Sequence, residues 1–275
     1  MRKYNIRPNK RLGQNFLVDI RPLMSMLKAA QLSPEDEVLE IGPGLGVLTS
    51  ELCSRAKKMV AVEKDRQLIP ILEDLTRDFK NICILESDVL KLDMEELRES
   101  HFEGNFKVVA NLPYYITSPI LMKIIENRHL IPMAVLMVQK EVAQRLTASP
   151  GTKEYSILTI AVNMYADVKM VCTIGKEAFL PPPKVKSAVV QIVLRQEPRE
   201  QVEDEAFFFK VVEAAFGERR KTLRNSLSRR LNISGIDTEA IDKALEVTGI
   251  DPMRRGETLS IKEFAKLTEE LHKFI

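Results

Sequence analysis

Three stretches of this 275-residue chain carry side chains and spacings suited to chemistry on a planar, polar ring. In Val109-Ala110-Asn111-Leu112-Pro113-Tyr114-Tyr115, an apolar, β-prone run from 106 to 110 ends in an amide, a proline and two aromatics. A buried strand ending this way delivers polar groups to the rim of a sheet, where open α/β folds bind ligands. Asparagine brings a donor and an acceptor, proline freezes the backbone, and tyrosine offers a flat face and a hydroxyl. The second stretch, Glu40-Ile41-Gly42-Pro43-Gly44-Leu45-Gly46, falls between a predicted strand and a predicted helix. Its glycines let the backbone bend sharply and approach a ligand. The spacing G-x-G-x-G matches neither a dinucleotide fingerprint nor a P-loop, and alone it is weak evidence, a purely structural turn being the lesser alternative.

The third group narrows the ligand. Glu63 lies 21 residues after Gly42, at the end of the next predicted strand. There a carboxylate can accept both ribose hydroxyls of an adenosine. Asp88, at the end of a third predicted strand, can reach the adenine amino group, although either acid alone is more often a plain loop carboxylate. The absence of a phosphate cradle favours S-adenosylmethionine over NAD as the adenosine-like ligand, and a sulfonium suits a rim bearing Glu40, Glu63 and Asp88. Asn111 to Tyr114 then gains a purpose. An exocyclic aromatic amine is a poor nucleophile because its lone pair is delocalised into the ring. The Asn111 side-chain oxygen and a backbone carbonyl at Leu112 or Pro113, accepting both N–H groups, return electron density to nitrogen while Tyr114 stacks on the base. No strong base is required; the catalysis is positioning and electrostatics.

These groups need a sheet to align them. Predicted strands at 37–41, 59–63, 82–85, 106–110 and 134–138 alternate with predicted helices at 20–30, 48–56, 66–79, 94–100 and 118–126. That rhythm gives parallel βαβ units with right-handed crossovers. Residues 12–19 read as too polar for a strand. Helices follow at 141–146 and 156–161, then strands at 166–174 and 187–194 around a proline-rich loop, an antiparallel pair closing one sheet edge. From Pro198 the pattern is helical only, at 205–215, 221–231, 238–247 and 261–274. The expected architecture is an α/β Rossmann-like domain over 1–197 and a small all-α domain over 198–275.

The net charge of +2 hides segregation. Met1 to Gly13 contains five basic residues and no acid, and Gly217 to Arg230 contains six against one. Two basic islands on an acidic body suggest a polyanionic partner held at chosen places. Arg220, Arg224 and Lys221 are placed on one helical face, flanked by Arg219, Arg229-Arg230 and Arg254-Arg255, with Phe207 to Phe209 as anchor. Cys53, Cys83 and Cys172 form neither a disulfide framework nor a metal signature, which fits a reducing cytoplasm. No apolar run approaches a membrane span, and the N-terminus lacks an apolar signal region. His101, His129 and His272 lie in no catalytic motif, so nucleophilic-triad and metal schemes find no support, and no metal is expected.

The ordered motifs resemble those of the small-subunit ribosomal RNA adenine dimethyltransferases, the bacterial KsgA family, over essentially the whole chain. Residues 12–19 match its cofactor-covering N-terminal motif, Glu40 to Gly46 its glycine motif, Glu63-Lys64-Asp65 its ribose-binding motif, and Asn111 to Tyr114 its N-L-P-Y. Phe179-Leu180-Pro181-Pro182-Pro183-Lys184-Val185 is similar to its F-x-P-x-P-x-V loop. The resemblance implies that Asn15, Leu17, Gly42, Gly44, Glu63, Asp88 and Asn111 contact S-adenosylmethionine. It implies that Asn111, Leu112, Pro113 and Tyr114 act on the target adenine, with Phe179 a candidate for stacking from the other side. Arg219, Arg220, Lys221 and Arg224 are then RNA contacts. The implied product is two adjacent N6,N6-dimethyladenosines near the 3′ end of small-subunit (16S) rRNA, made by a cytoplasmic enzyme that needs no membrane and no obligate protein partner and acts as a monomer. Tyr115 stands where many members carry asparagine, a change just outside the core motif. Three rivals stay in view: the antibiotic-resistance type of large-subunit rRNA adenine methyltransferase, a DNA adenine methyltransferase, and a non-catalytic ribosome assembly factor. The Gly-Pro-Gly and N-L-P-Y forms favour the small-subunit reading.

Overall fold

The computed structural model describes residues 13–218, 220–231 and 235–275. The basic segment at 1–12, which includes Leu12 of the first motif, and Arg219 lie outside the described residues. The chain divides into two compact units, Met1–Ala143 with Ala166–Gln196, and Gln144–Tyr165 with Glu197–Ile275.

The first unit is built on a seven-stranded sheet. Strands β2 (Glu37–Ile41), β3 (Lys58–Glu63), β4 (Ile82–Glu86), β5 (Lys107–Asn111) and β6 (Met133–Gln139) are parallel, and β9 (Ser187–Leu194) runs antiparallel between β6 and β7 (Ala166–Ile174). The order is β4-β3-β2-β5-β6-β9-β7. β2 and the interiors of β3, β5 and β6 are buried on both faces, which is why they read as continuous apolar runs. The register pairs Ile41 with Val62, Glu63 with Glu86 and Asn111 with Met137, so the loops after β2, β3 and β5 leave from one rim. Helix α1 (Ile20–Ala30) begins where the Asp19 carboxylate caps the Arg21 amide, and buries Leu23, Met26, Leu27 and Ala30. Its C-terminal turn is tied to the sheet by Gln191 Nε2, which donates to the Ala29 carbonyl at 2.7 Å.

Several boundaries differ from expectation, each for a local reason. Residues 16–17 do form a strand: β1 (Phe16–Leu17) pairs antiparallel with β8 (Phe179–Leu180). Two residues inside a polar segment give no periodic signal, and their partner lies far along the chain. Beyond β2, α2 covers Val47–Cys53; beyond β3, α3 covers only Ile69–Thr76, because Pro70 belongs in a first helical turn and so fixes the start near 69. Helices α4 (Met94–His101) and α5 (Thr117–Glu126) complete the alternation. β4 ends at Glu86, and Asp88 lies beyond it, capping the short 3₁₀ turn Val89–Lys91.

The chain leaves the first unit within α6 (Lys140–Leu146). Among its described residues the second unit is helical: α7 (Ile157–Asn163), α8 (Glu205–Phe216), α9 (Leu223–Leu231), α10 (Thr238–Thr248) and α11 (Ile261–His272). Phe208, Phe264 and Leu267 are fully buried in it, and the Phe216 and Phe264 rings stack at 6.2 Å. α11 starts on a capping box, with Ser260 on the Glu263 amide and the Glu263 carboxylate returning to the Ser260 amide. Gln144–Tyr165, kept with the first domain by a linear reading, groups with these helices instead. Thr159 and Asn163 bind the carbonyls of Arg145 and Leu146, and Arg199 returns to the Asn163 carbonyl. A segment that satisfies its own backbone locally can join either unit, so its sequence alone does not place it.

Candidate active site

One cavity, about 1140 Å³ including its open mouth, lies at the rim of the sheet. The glycine turn, the ends of β3 and β5, the β1 segment and Asp88 all line it. The turn holds three glycines in the left-handed region, at φ values of 67° (Gly42), 60° (Gly44) and 76° (Gly46). At Gly46 an added Cβ would also sit 2.5 Å from the Leu75 side chain. Three such residues in five need glycine, because a Cβ costs about 1–2 kcal/mol per left-handed residue.

Glu63 braces this turn from the neighbouring strand. Its Oε2 accepts from the Gly44 amide at 3.0 Å and its Oε1 from the Asp65 amide at 2.8 Å. Each oxygen keeps lone-pair capacity for an incoming hydroxyl. Burial pushes its carboxyl above the usual range. Gln14 Nε2 donates to Asp65 Oδ2 at 2.6 Å and so ties the N-terminal motif to the Glu63-Lys64-Asp65 turn, a link with no sequence signal. Asn15 lines the cavity with its amide donating to the Gly13 carbonyl at 2.9 Å, and Leu17 lines it from β1. Asp88 also lines it. Its Oδ1 caps the Leu90 amide at 3.1 Å, and Lys64 Nζ donates to Oδ2 at 2.8 Å, which holds its pKa below the ordinary carboxylate value.

Glu40, the third acid expected on the rim, is the most deeply buried of them. It is 1 % exposed, lines the cavity, and its Oε2 has no hydrogen-bond partner among the described residues. Burial, with the nearby Glu63 charge adding to it, pushes its pKa up to about 8. The ligand-free fold therefore keeps a proton on Glu40 that the unfolded chain releases at a much lower pH. The stabilisation this gives is fully present below the ordinary carboxylate pKa and is lost as pH rises through about 8. Glu40→Gln carries no such proton. Thermal melting of ligand-free protein should show the variant gaining on the parent between pH 5 and pH 8, by about 2–4 °C per kcal/mol. A melting difference that does not change with pH would contradict this.

β5 carries Asn111 to the cavity, one residue further along the strand than expected. The Leu112 amide then donates to the Met137 carbonyl at 3.2 Å, and the Pro113 carbonyl accepts from the Ile116 amide at 3.2 Å. Of the two carbonyls considered as acceptors, Pro113's is thus engaged, while Leu112's accepts nothing among the described residues. Tyr114 opens a short 3₁₀ turn, half-buried, with its hydroxyl 2.5 Å from Ser187 Oγ. Tyr115 is 53 % exposed at the mouth, with its ring against Gly13. Phe179 does not reach the cavity. Its side chain is 3 % exposed and belongs to a cluster with Leu23, Met26 and Val109, where it supports β1 in place of the expected stacking position.

The expected basic face is also rearranged. α9 begins only at Leu223, because Thr222 caps it through its hydroxyl to the Asn225 amide at 3.4 Å and the Leu223 amide is held by the Arg254 carbonyl at 2.6 Å. Arg220 and Lys221 therefore lie exposed in the preceding turn and not on the helix. Arg224 is committed to a bidentate pair with Asp242, at 2.5 and 2.7 Å, and Arg229 to Glu218 at 3.0 Å.

A Rossmann-like sheet whose rim combines a glycine turn, a buried strand-end carboxylate and a strand-end amide with a tyrosine defines a class I methyltransferase. The buried Glu40, whose Oε2 has no partner among the described residues, and the left-handed glycines Gly42 and Gly44 lining the cavity fit a cationic nucleoside such as S-adenosylmethionine. A sequence-family model described as ribosomal RNA adenine dimethylase matches residues 5–273, and the chain belongs to that family. A ribosomal RNA small subunit methyltransferase A of Bacillus mycoides is 48 % identical over 271 residues, 98 % of this chain and 93 % of that protein. A Plasmodium falciparum dimethyladenosine transferase superposes with a TM-score of 0.81 at 29 % identity, covering 94 % of this chain and all of that one. The 23S rRNA methyltransferase ErmE superposes at 0.72 with 26 % identity over the same shares.

Proposed function

We propose that this protein transfers methyl groups from S-adenosylmethionine to N6 of two adjacent adenosines near the 3′ end of small-subunit ribosomal RNA. The observation that carries the reading is that Asn111, Leu112 and Tyr114 line the same cavity as Glu40, Glu63 and Asp88. When bound, the cofactor supplies an electrophilic methyl on a sulfonium. Glu63 accepts from the ribose, Asp88 from the adenine amino group, and the turn glycines admit the nucleoside to the backbone. Asn111 Oδ1 and the Leu112 carbonyl accept the two N–H groups of the target amine, localising its lone pair, and Tyr114 holds the ring plane. The base must leave its stack to enter, which costs least in a loop. Transfer of labelled methyl to purified small subunits tests the reading; label confined to large subunits would overturn it in favour of the ErmE-like alternative.

The phosphate contacts are assigned to Arg220 and Lys221, which have no ion-pair partner among the described residues, while Arg224 braces its own unit through Asp242. Substituting both Arg220 and Lys221 by alanine should weaken subunit binding and reduce the log–log salt slope by about 1–2, at roughly 0.7–0.9 per lost phosphate contact. Filter binding across a salt series measures this; an unchanged slope would remove both residues from the interface. We place the protein in the cytoplasm, acting without a metal or an obligate protein partner. Among the described residues no helix is long and apolar enough to cross a membrane.

A further inference from the structure

Ser187 is the first residue of β9 and is completely buried between two strands, opposite Gln139 of β6 and Ile174 of β7. Beyond it β9 continues Ala-Val-Val-Gln-Ile-Val-Leu, so Ser187 places a hydroxyl at the buried head of a mainly apolar strand. A buried hydroxyl without a partner costs stability, which makes its partner informative. That partner is the Tyr114 hydroxyl, at 2.5 Å. Tyr114 itself sits in a turn closed by one backbone bond, Ile116 amide to Pro113 carbonyl, at the cavity rim. The turn fixes only the Cα end of the side chain. The far end of the ring is fixed by Ser187, which hangs from a strand with neighbours on both sides.

We propose that Ser187 is a positioning residue for the methyl-transfer step: by holding the Tyr114 hydroxyl it sets the plane against which the target adenine stacks. The inference rests on the reading that Tyr114 receives the base. A ring clamped at both ends meets the base with no rotamer left to fix, so the loss on unclamping falls on the chemical step and not on cofactor binding. Burial also raises the Tyr114 pKa, which keeps the phenol protonated and able to share the bond. The link is unreadable from sequence, since it joins residues 73 apart through one pair of rotamers.

Single-turnover methyl transfer at saturating cofactor and subunit tests it, with cofactor affinity by titration calorimetry as the folding control. Ser187→Ala should slow transfer roughly 10-fold, the effect of losing one buried hydrogen bond, with cofactor affinity unchanged. Tyr114→Phe removes the same bond from its other end and should give the same loss, and the double variant should be no slower than either. Transfer at the parental rate in Ser187→Ala, or losses that multiply in the double variant, would overturn the proposal. If Ser187→Ala fails to fold, Tyr114→Phe alone decides, since a parental rate there excludes any role for the bond. Tyr114→Ala separates the two levels. Parental transfer in it removes the stacking reading and the proposal together, whereas an inactive Tyr114→Ala beside a fully active Ser187→Ala removes only the proposal.

Discussion

Asn111→Ala should lower methyl transfer by roughly 10²–10³-fold while leaving cofactor affinity much less affected, the size expected for loss of one acceptor that acts mainly in the transition state. The structure gives a reason for the asymmetry. Asn111 closes β5 at the cavity rim, whereas Glu63, the proposed ribose acceptor, stands on β3 and the glycine turn follows β2. Removing the amide leaves Glu63, the turn and Asp88 in place. On the proposed mechanism it withdraws one of two acceptors from the target amine and leaves the Leu112 carbonyl to localise the lone pair alone. Single-turnover transfer to unmodified small subunits, beside calorimetric titration of the cofactor, measures both quantities. Turnover close to the parent would remove Asn111 from the chemistry.

Glu63→Ala should act on the opposite quantity. The carboxylate is buried, braced by the Gly44 and Asp65 amides, and retains lone pairs for two hydroxyls. Hydrogen bonds to a charged group contribute about 1.5–3 kcal/mol each, so losing two weakens cofactor binding by roughly 10²-fold or more. The loss is compounded because the Gly44 amide then has no acceptor and the turn loses its brace. The rate at saturating cofactor should fall far less than the affinity. Calorimetry and a cofactor-concentration series check this; unchanged affinity would mean that the ribose lies elsewhere.

The parts of the fold that were legible in sequence are those made by local pattern. The buried strands β2, β3, β5 and β6 read as apolar runs because both faces are covered, and their alternation with helices implied a parallel sheet. Gly42, Gly44, Glu63 and Asn111 were legible for a related reason: each stands where a strand ends, and strand ends share a rim. What failed depended on distant partners. β1 exists only because β8 pairs with it, and Phe179 looks exposed in a proline-rich loop until β1 covers it. Arg220 and Lys221 fit a helical face by spacing, but Thr222 caps α9 beyond both of them, so the helix starts at Leu223. Asp88 lies past the strand it was expected to close, and Glu40, expected on the acidic rim, shows its near-complete burial and raised pKa only in the fold.

Among the rivals, the assembly-factor reading and the methyltransferase reading share a surface and differ in the cavity. A non-catalytic binder has no use for a buried acid with one unpartnered oxygen, two left-handed glycines and an amide with a free neighbouring carbonyl in one pocket. The large-subunit reading shares the cavity and differs only in docking, which places the discrimination in the substrate offered.

The central claim is tested most directly by offering unmodified small subunits and unmodified large subunits, separately, with S-adenosylmethionine carrying a labelled methyl, and hydrolysing the RNA to nucleosides. The account predicts label in small subunits only, recovered as N6,N6-dimethyladenosine at four methyls per particle. Label in large-subunit RNA, label on another nucleoside, or no transfer by protein that binds the cofactor would contradict it.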